Sequence, residues 1–194
     1  MDAESMPLTE TFAERAERAE ASGHDRIEAM VETYFDLVWR SLRRFGVPDA
    51  GVDDAAQQVF IVAARKLDTI EVAGERSYLL GIAVRVASDA RRSLARRREV
   101  PDEDAGEPLD PEPSPEELVD RKRARQMLDR VLDSMPMDLR AAFTMFEIEE
   151  MSVPEVAAAL GVPLGTAASR LRRAREQFHE QVRRLGAGQG GQRV

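Results

Sequence analysis

The chain has 194 residues, a net charge of −8, no cysteine, and many more helix formers (Ala, Leu, Glu, Arg) than strand formers, so an all-α protein is expected. Without cysteine there is no disulfide scaffold and no thiolate metal site, and the two histidines, His24 and His179, lie too far apart in sequence to mark one. No apolar run approaches the ~20 residues needed to cross a bilayer, and the first residues lack the regions of a signal peptide, so a cytoplasmic protein without membrane insertion is expected.

Residues 1–23 carry few large apolar side chains and read as an N-terminal extension, a frayed helix or a disordered tail. Residues 24–98 read as a helix bundle. In the first helix, Ile27, Met30, Val31, Tyr34, Leu37, Val38, Leu42 and Phe45 recur at spacings of three and four, which puts them on one face, and Gly46 and Pro48 end it. A second helix is expected to open at Asp53 or Asp54 as an acidic N-cap, with Val59, Phe60, Val62, Ala63 and Leu67 inward. The polar stretch 68–77, containing Gly74, reads as a loop. A third helix is expected from about Tyr78 to Arg98, with Arg91, Arg92, Arg96, Arg97 and Arg98 crowding an end where cations suit the helix dipole and could face phosphates.

An overall charge of −8 argues against a nucleic-acid partner, because binding phosphates requires cations. The distribution of that charge points the other way. Residues 99–120 hold ten acidic and no basic residues, so setting them aside turns −8 into +2. Five of the ten prolines fall here as well, and like-charge repulsion with proline opposes a packed core, so 99–115 reads as an acidic, Pro-rich linker.

Residues 116–186 read as a second, four-helix domain, with 187–194 as a disordered tail. Its first helix, 116–134, ends at Pro136. The next, MDLRAAFTMFEIEEM, packs through Leu139, Ala142, Phe143 and Phe146. Ser152 and Glu155 then form a capping box with Pro154 in the first turn, opening the short helix PEVAAAL, whose small alanines let another helix come close. Gly161 breaks it, and Pro163 starts the last helix. Two helices joined by so tight a turn make a helix-turn-helix. At about 100° per residue, Ala167, Leu171, Ala174 and Phe178 face inward, while Gly165, Thr166, Ser169, Arg172 and Arg173 face out, with Ala168 and Arg170 on the flanks. Small polar residues followed by arginines suit an element whose first turns enter a major groove.

The segment MPMDLRAAFTMFEIEEMSVPEVAAALGVPLGTAASRLRRARE resembles the upstream-element-reading domain of extracytoplasmic-function sigma factors. The stretch from Ile27 to Arg98 resembles their other domain, with DDAAQQVF where the family binds the polymerase clamp and SYLLGIAVRVASDARR where it reads the downstream promoter element. The resemblance covers about four-fifths of the chain. It implies an alternative sigma factor that binds core RNA polymerase and promoter DNA, is not an enzyme and needs no cofactor, with an anti-sigma factor as a further candidate partner. It implies that Asp54, Gln57 and Phe60 dock the clamp, that Tyr78, Arg85, Ser88, Arg91 and Arg92 hold the melted downstream element, and that Thr166, Ala168, Ser169, Arg172 and Arg173 lie at the upstream element. Tyr78 stands where the family usually has tryptophan, Arg85 where it commonly has asparagine, and Ala168 where a long basic residue is frequent. On the residues alone, a dimeric helix-turn-helix regulator and a protein-interaction module stay open beside this reading.

Overall fold

The computed structural model describes residues 12–97 and 115–189, and the described residues form helices and turns with no strand. The helices are α1 (Phe12–Arg44), α2 (Asp49–Ala64), α3 (Glu75–Arg97), α4 (Pro115–Asp133), α5 (Met137–Phe143), α6 (Val153–Leu160) and α7 (Leu164–Gln189). The linker expected over 99–115 lies outside the described residues except for Pro115, as do Arg98 and residues 190–194. Helix α1 already runs through the second half of the expected N-terminal extension, and α7 runs into the expected tail.

The end of α1 follows from Gly46. With φ +92 it adopts the left-handed conformation that glycine takes without a Cβ penalty, and Gly46 N–H donates to Arg43 O (2.9 Å) and Val47 N–H to Leu42 O (3.0 Å). Val47, just past this cap, is buried against the core. The second helix starts earlier than expected. Pro48 is extended at its N-cap and Asp49 occupies its first turn, so neither Asp53 nor Asp54 caps it; Asp53 accepts a hydrogen bond from Trp39 Nε1 (2.8 Å) instead. A proline is already extended where a cap must be, and that outcompeted the aspartates.

The expected 68–77 loop is shorter and more ordered than a polar stretch implies. It consists of two 3-10 turns, Leu67–Thr69 and Val72–Gly74, after which α3 opens at Glu75. Arg26 ties it down. Its guanidinium donates to the carbonyls of Leu67 (3.1 Å) and Ile70 (2.5 Å) and pairs with the buried Glu75 (2.9 Å).

Helices α1, α2 and α3 pack around Val38, Leu42, Phe45, Val59, Leu79, Leu80 and Ala83. A smaller cluster of Val131, Leu132, Met135, Leu139, Phe143 and Ala174 holds α4, α5 and α7 together, with Phe143 stacked on Phe178 at 4.7 Å between centroids. Burying each such aliphatic or aromatic side chain contributes roughly 1.5–3 kcal/mol. The larger cluster does not stop at the third helix. It continues through Ala141, Ala142, Met145, Met151, Val156, Ala157, Ala159 and Ala167 of the C-terminal half, and α6 lies between α3 and α7.

Candidate nucleic-acid interface

The helix-turn-helix is built as its sequence implies. Ser152 Oγ accepts from Glu155 N–H, and the Glu155 carboxylate accepts from Ser152 Oγ (2.6 Å) and from Ser152 N–H (2.7 Å); these two bonds to the carboxylate, the hydroxyl's first, hold it below its usual range. Gly161 at φ +64 closes α6, with Val162 N–H donating to Ala157 O (3.0 Å). On α7, Ala167 and Ala174 are fully buried and Leu171 nearly so, leaving Gly165, Ala168, Ser169, Arg172 and Arg173 exposed and Thr166 half-buried. The upstream set is therefore brought together on one side of the first three turns. Ser169 Oγ donates to Thr166 O (2.9 Å), and Arg172 pairs with Glu176 (2.6 Å) one turn on, an exposed pair that a phosphate can displace at little cost. Arg170 and Arg175 point elsewhere. Arg170 pairs with Asp138 (3.4 Å), while Arg175 pairs with Glu147 (2.5 Å) and lies over the Phe146 ring (4.9 Å), so both fasten α7 to the preceding helices.

The downstream set is divided. Arg85 and Arg92 are exposed on α3, Arg92 paired with Asp89. Tyr78 is half-buried against the core, and half-buried Ser88 donates its hydroxyl to Val84 O (2.8 Å). Arg91 turns away from Arg85 toward the junction of the two halves, where its guanidinium reaches Phe45 O (3.4 Å) after α1 and Met137 Sδ (3.9 Å) at the start of α5. Asp54 and Gln57 share the outer face of α2, whereas Phe60 is buried and stacks on Phe35 (6.4 Å between centroids). Sequence periodicity missed that Phe35 and Ile61, at 40% and 39% exposed, are the large apolar side chains left open beside Asp54 and Gln57. Val72, 71% exposed at the tip of the loop before α3, was missed also, although its place in an otherwise polar stretch was visible.

Charge at the junction of the two halves centres on two buried groups, Arg140 and Glu149. Arg140 of α5 is 2% exposed; its Nε donates to Arg44 O at the end of α1, and its Nη1 pairs with Asp133 (2.7 Å). Burial pulls its pKa down, opposed by the Asp133 carboxylate. Asp129, exposed a turn before Asp133, has its pKa raised by partial desolvation first and by the Asp133 carboxylate second. Glu149, also buried, pairs with Arg44 and lies 3.8 Å from Arg76, whose guanidinium also donates to the Glu149 carbonyl. It is aimed there by a wide π-type turn, Thr144–Ile148, closed by Glu149 N–H on Thr144 O (2.9 Å) and by Glu150 at φ +54. Among the described residues no cluster of His, Cys, Asp and Glu could hold a metal ion, and no helix is long and apolar enough to cross a membrane.

Comparison with known proteins matches both halves. Residues 30–97 match the family described as sigma-70 region 2, and residues 125–178 that described as sigma-70, region 4. The chain is similar to the ECF RNA polymerase sigma-E factor of Escherichia coli (strain K12), 33% identical over 180 residues that cover 87% of this chain and 93% of that protein. Its fold is similar to that of CnrH in complex with the cytosolic domain of CnrY, with a TM-score of 0.61 at 22% identity, covering 86% and 94% of the two chains. It is also similar to that of the sigma factor RpoE in complex with the anti-sigma factor NepR from Bartonella quintana, with a TM-score of 0.64 at 19% identity, covering 80% and 96%.

Proposed function

The chain belongs to the extracytoplasmic-function family of RNA polymerase sigma factors and is an alternative sigma factor that directs transcription initiation, and from that premise we propose how its surfaces divide the work. Residues 24–98 and 116–186 act as two working units joined by the acidic segment 99–115. The outer face of α2, with Asp54 and Gln57 flanked by Phe35 and Ile61, docks the polymerase clamp, and Phe60 supports it from beneath. Tyr78, Arg85, Ser88 and Arg92 of α3, with the Val72 loop, hold the melted downstream element, and Arg91 acts there only once its contacts to Phe45 and Met137 are released. The first turns of α7 present Thr166, Ala168, Ser169, Arg172 and Arg173 to the upstream duplex.

The observation that carries this reading is on α7. A spine of buried Ala167, Leu171 and Ala174 fixes the helix, so the opposite face is held rigid and exposed, with two guanidinium groups on it. Joining two DNA-binding units makes the second contact intramolecular, so modest affinities combine on one promoter. Unstacking a melted base costs a few kcal/mol, which stacking on a ring and hydrogen bonds offset. The protein supplies binding and orientation, not catalysis, and works in the cytoplasm. An anti-sigma partner of the kind seen with RpoE is a candidate regulator. The acidic segment acts as a nucleic-acid mimic within the polymerase, and neutralising the ten carboxylates of residues 99–120 at constant length alters initiation or promoter escape.

The test is transcription in vitro with core polymerase and a genomic fragment library, followed by start-site mapping. Initiation only with core enzyme supports the reading. Duplex binding as a dimer without polymerase would replace it with an ordinary helix-turn-helix regulator. Arg172→Ala or Arg173→Ala weakens upstream-element binding by ~1–3 kcal/mol where the side chain reads a base edge. Unchanged affinity and promoter choice in both variants rejects the α7 face.

A further inference from the structure

Residues 71–74, the second 3-10 turn with the residue before it, bury no side chain. They are closed by Gly74 N–H on Glu71 O (2.8 Å) and carry Glu71, Val72 and Ala73 into solvent, Val72 at 71% exposed. A segment with no buried apolar anchor of its own takes its position from its two ends. Here one side chain fastens both. On the entry side Arg26 Nη1 donates to Leu67 O (3.1 Å) and Nη2 to Ile70 O (2.5 Å). On the exit side Nε (3.1 Å) and Nη2 (2.9 Å) donate to the Glu75 carboxylate, whose side chain is 10% exposed. These acceptors lie 41 to 49 residues further along the chain. Arg26 itself stands just ahead of Ile27, outside the stretch that carries the resemblance to the sigma-factor domain.

We propose that Arg26 is a positioning residue for the downstream element: its guanidinium ties residues 67–75 into a ring and so holds the Val72–Ala73 tip where an unstacked base meets it. This rests on the assignment of that loop and α3 to the melted element above. The planar fork suits the task, because it serves two carbonyls and a carboxylate in fixed directions at once, which an ammonium on a flexible stem does not. The tip is apolar and flanked by the acidic Glu71, so it suits the face of a base and not a phosphate. Such a contact depends on placement, since a gap of about 0.5–1 Å forfeits roughly a quarter to a half of each atom pair's attraction. Untied, the tip presents the binding shape for only a fraction of the time, and affinity for the melted strand falls by that fraction. Among the described residues the hydrogen bonds of the Arg26 side chain all go to this loop and to Glu75, so polymerase docking on α2 does not depend on them.

The chain has no cysteine, so Ala73→Cys puts a single nitroxide label at the tip of the full-length protein. Its spectrum is expected to show an immobilised label with Arg26 in place and a fast component with Arg26→Ala. Unlabelled chains are then assembled with core polymerase on a mapped promoter, either fully paired or carrying a mismatched bubble over the downstream element. Arg26→Ala is expected to bind the bubble about tenfold or more weakly and to open the paired promoter, read by 2-aminopurine fluorescence, more slowly by a similar factor, with core affinity within about twofold of wild type. Arg26→Lys keeps the charge without the fork and is expected to stay at least about threefold below wild type on the bubble. Val38→Ala, buried about three turns along α1, is the control for lost stability and is expected to bind the bubble as wild type does well below its Tm. Should Arg26→Ala lose helicity by circular dichroism, Glu75→Gln, which keeps the shape and removes the charge, carries the same comparison. An immobilised label without Arg26 overturns the tie. A mobile tip with undiminished bubble affinity, or a loss that Val38→Ala reproduces, overturns the positioning, and full activity in Arg26→Lys overturns the fork. Val72→Asp at native Arg26 keeps the two claims apart: bubble affinity that ignores it overturns the assignment of this loop to the downstream element and not the tie.

Discussion

Replacing Arg140 by alanine removes a guanidinium that is 2% exposed, bound to Arg44 O at the end of α1 and to Asp133 at 2.7 Å. Hydrogen bonds to a charged group are worth ~1.5–3 kcal/mol each, and breaking a buried pair costs ~3–5 kcal/mol. The lower part of that range applies, because the Asp133 side chain is 65% exposed and is resolvated once its partner has gone, leaving the Arg44 carbonyl as the main orphan. A loss of about 3 kcal/mol is expected, which for a chain of this size lowers Tm by roughly 6–12 °C. Urea unfolding followed by circular dichroism measures it, and since Arg140 joins α5 to α1 the single transition should broaden or split as the halves uncouple. Asp133→Asn is expected to destabilise as well, by ~1–3 kcal/mol, because it leaves the buried Arg140 guanidinium a neutral acceptor in place of its carboxylate. An Arg140→Ala cost under about 1 kcal/mol, with one sharp transition, would refute the reasoning.

Three further outcomes follow from the geometry. Ser152→Ala removes the two hydrogen bonds of the Ser152 hydroxyl, leaving the Ser152 N–H on the Glu155 carboxylate, and is expected to cost ~1 kcal/mol. Because Glu155 titrates below its usual 4.5 when folded, its contribution is present above that value and is lost as pH falls through the folded pKa; urea midpoints between about pH 5 and pH 3 should fall less steeply in Ser152→Ala than in wild type. Ile61→Asp, on the exposed apolar spot of α2, is expected to weaken binding to core polymerase at least about tenfold, or ~1.4 kcal/mol, with helicity unchanged; equal affinity would move the docking face elsewhere. Glu150→Gly relieves a left-handed conformation that costs an L-residue ~1–2 kcal/mol, less the ~0.5–1 kcal/mol of glycine entropy, so Tm should hold or rise by a few degrees and a clear fall would contradict the assigned backbone.

Local chemistry made much of the molecule legible in advance. The spacing of Val38, Leu42 and Phe45, the capping box at Ser152, the left-handed Gly161 and the inward stripe Ala167–Leu171–Ala174 are each set by neighbours within a few residues, so one sequence contains the whole argument. The acidic residues that hide an otherwise cationic chain are likewise a matter of counting. Where a competing local signal was stronger, the expectation slipped: Pro48, already extended, started α2 ahead of the aspartates, and Arg26 turned a polar stretch into two ordered turns.

What stayed hidden was pairing at a distance. The alanines of α6 announced that a helix would come close, but only the close packing of the core decided that α3, far off in sequence, would meet them at Gly81. The destinations of the arginines were equally undetermined, because a guanidinium on a long side chain serves a phosphate, a carboxylate or a helix carbonyl equally well. Periodicity gives the face of a helix on which a residue stands. Which neighbour covers that face depends on contacts between segments far apart in the chain, and these separated Arg91 and Arg140, drawn into the junction of the two halves, from Arg172 and Arg173, left facing solvent.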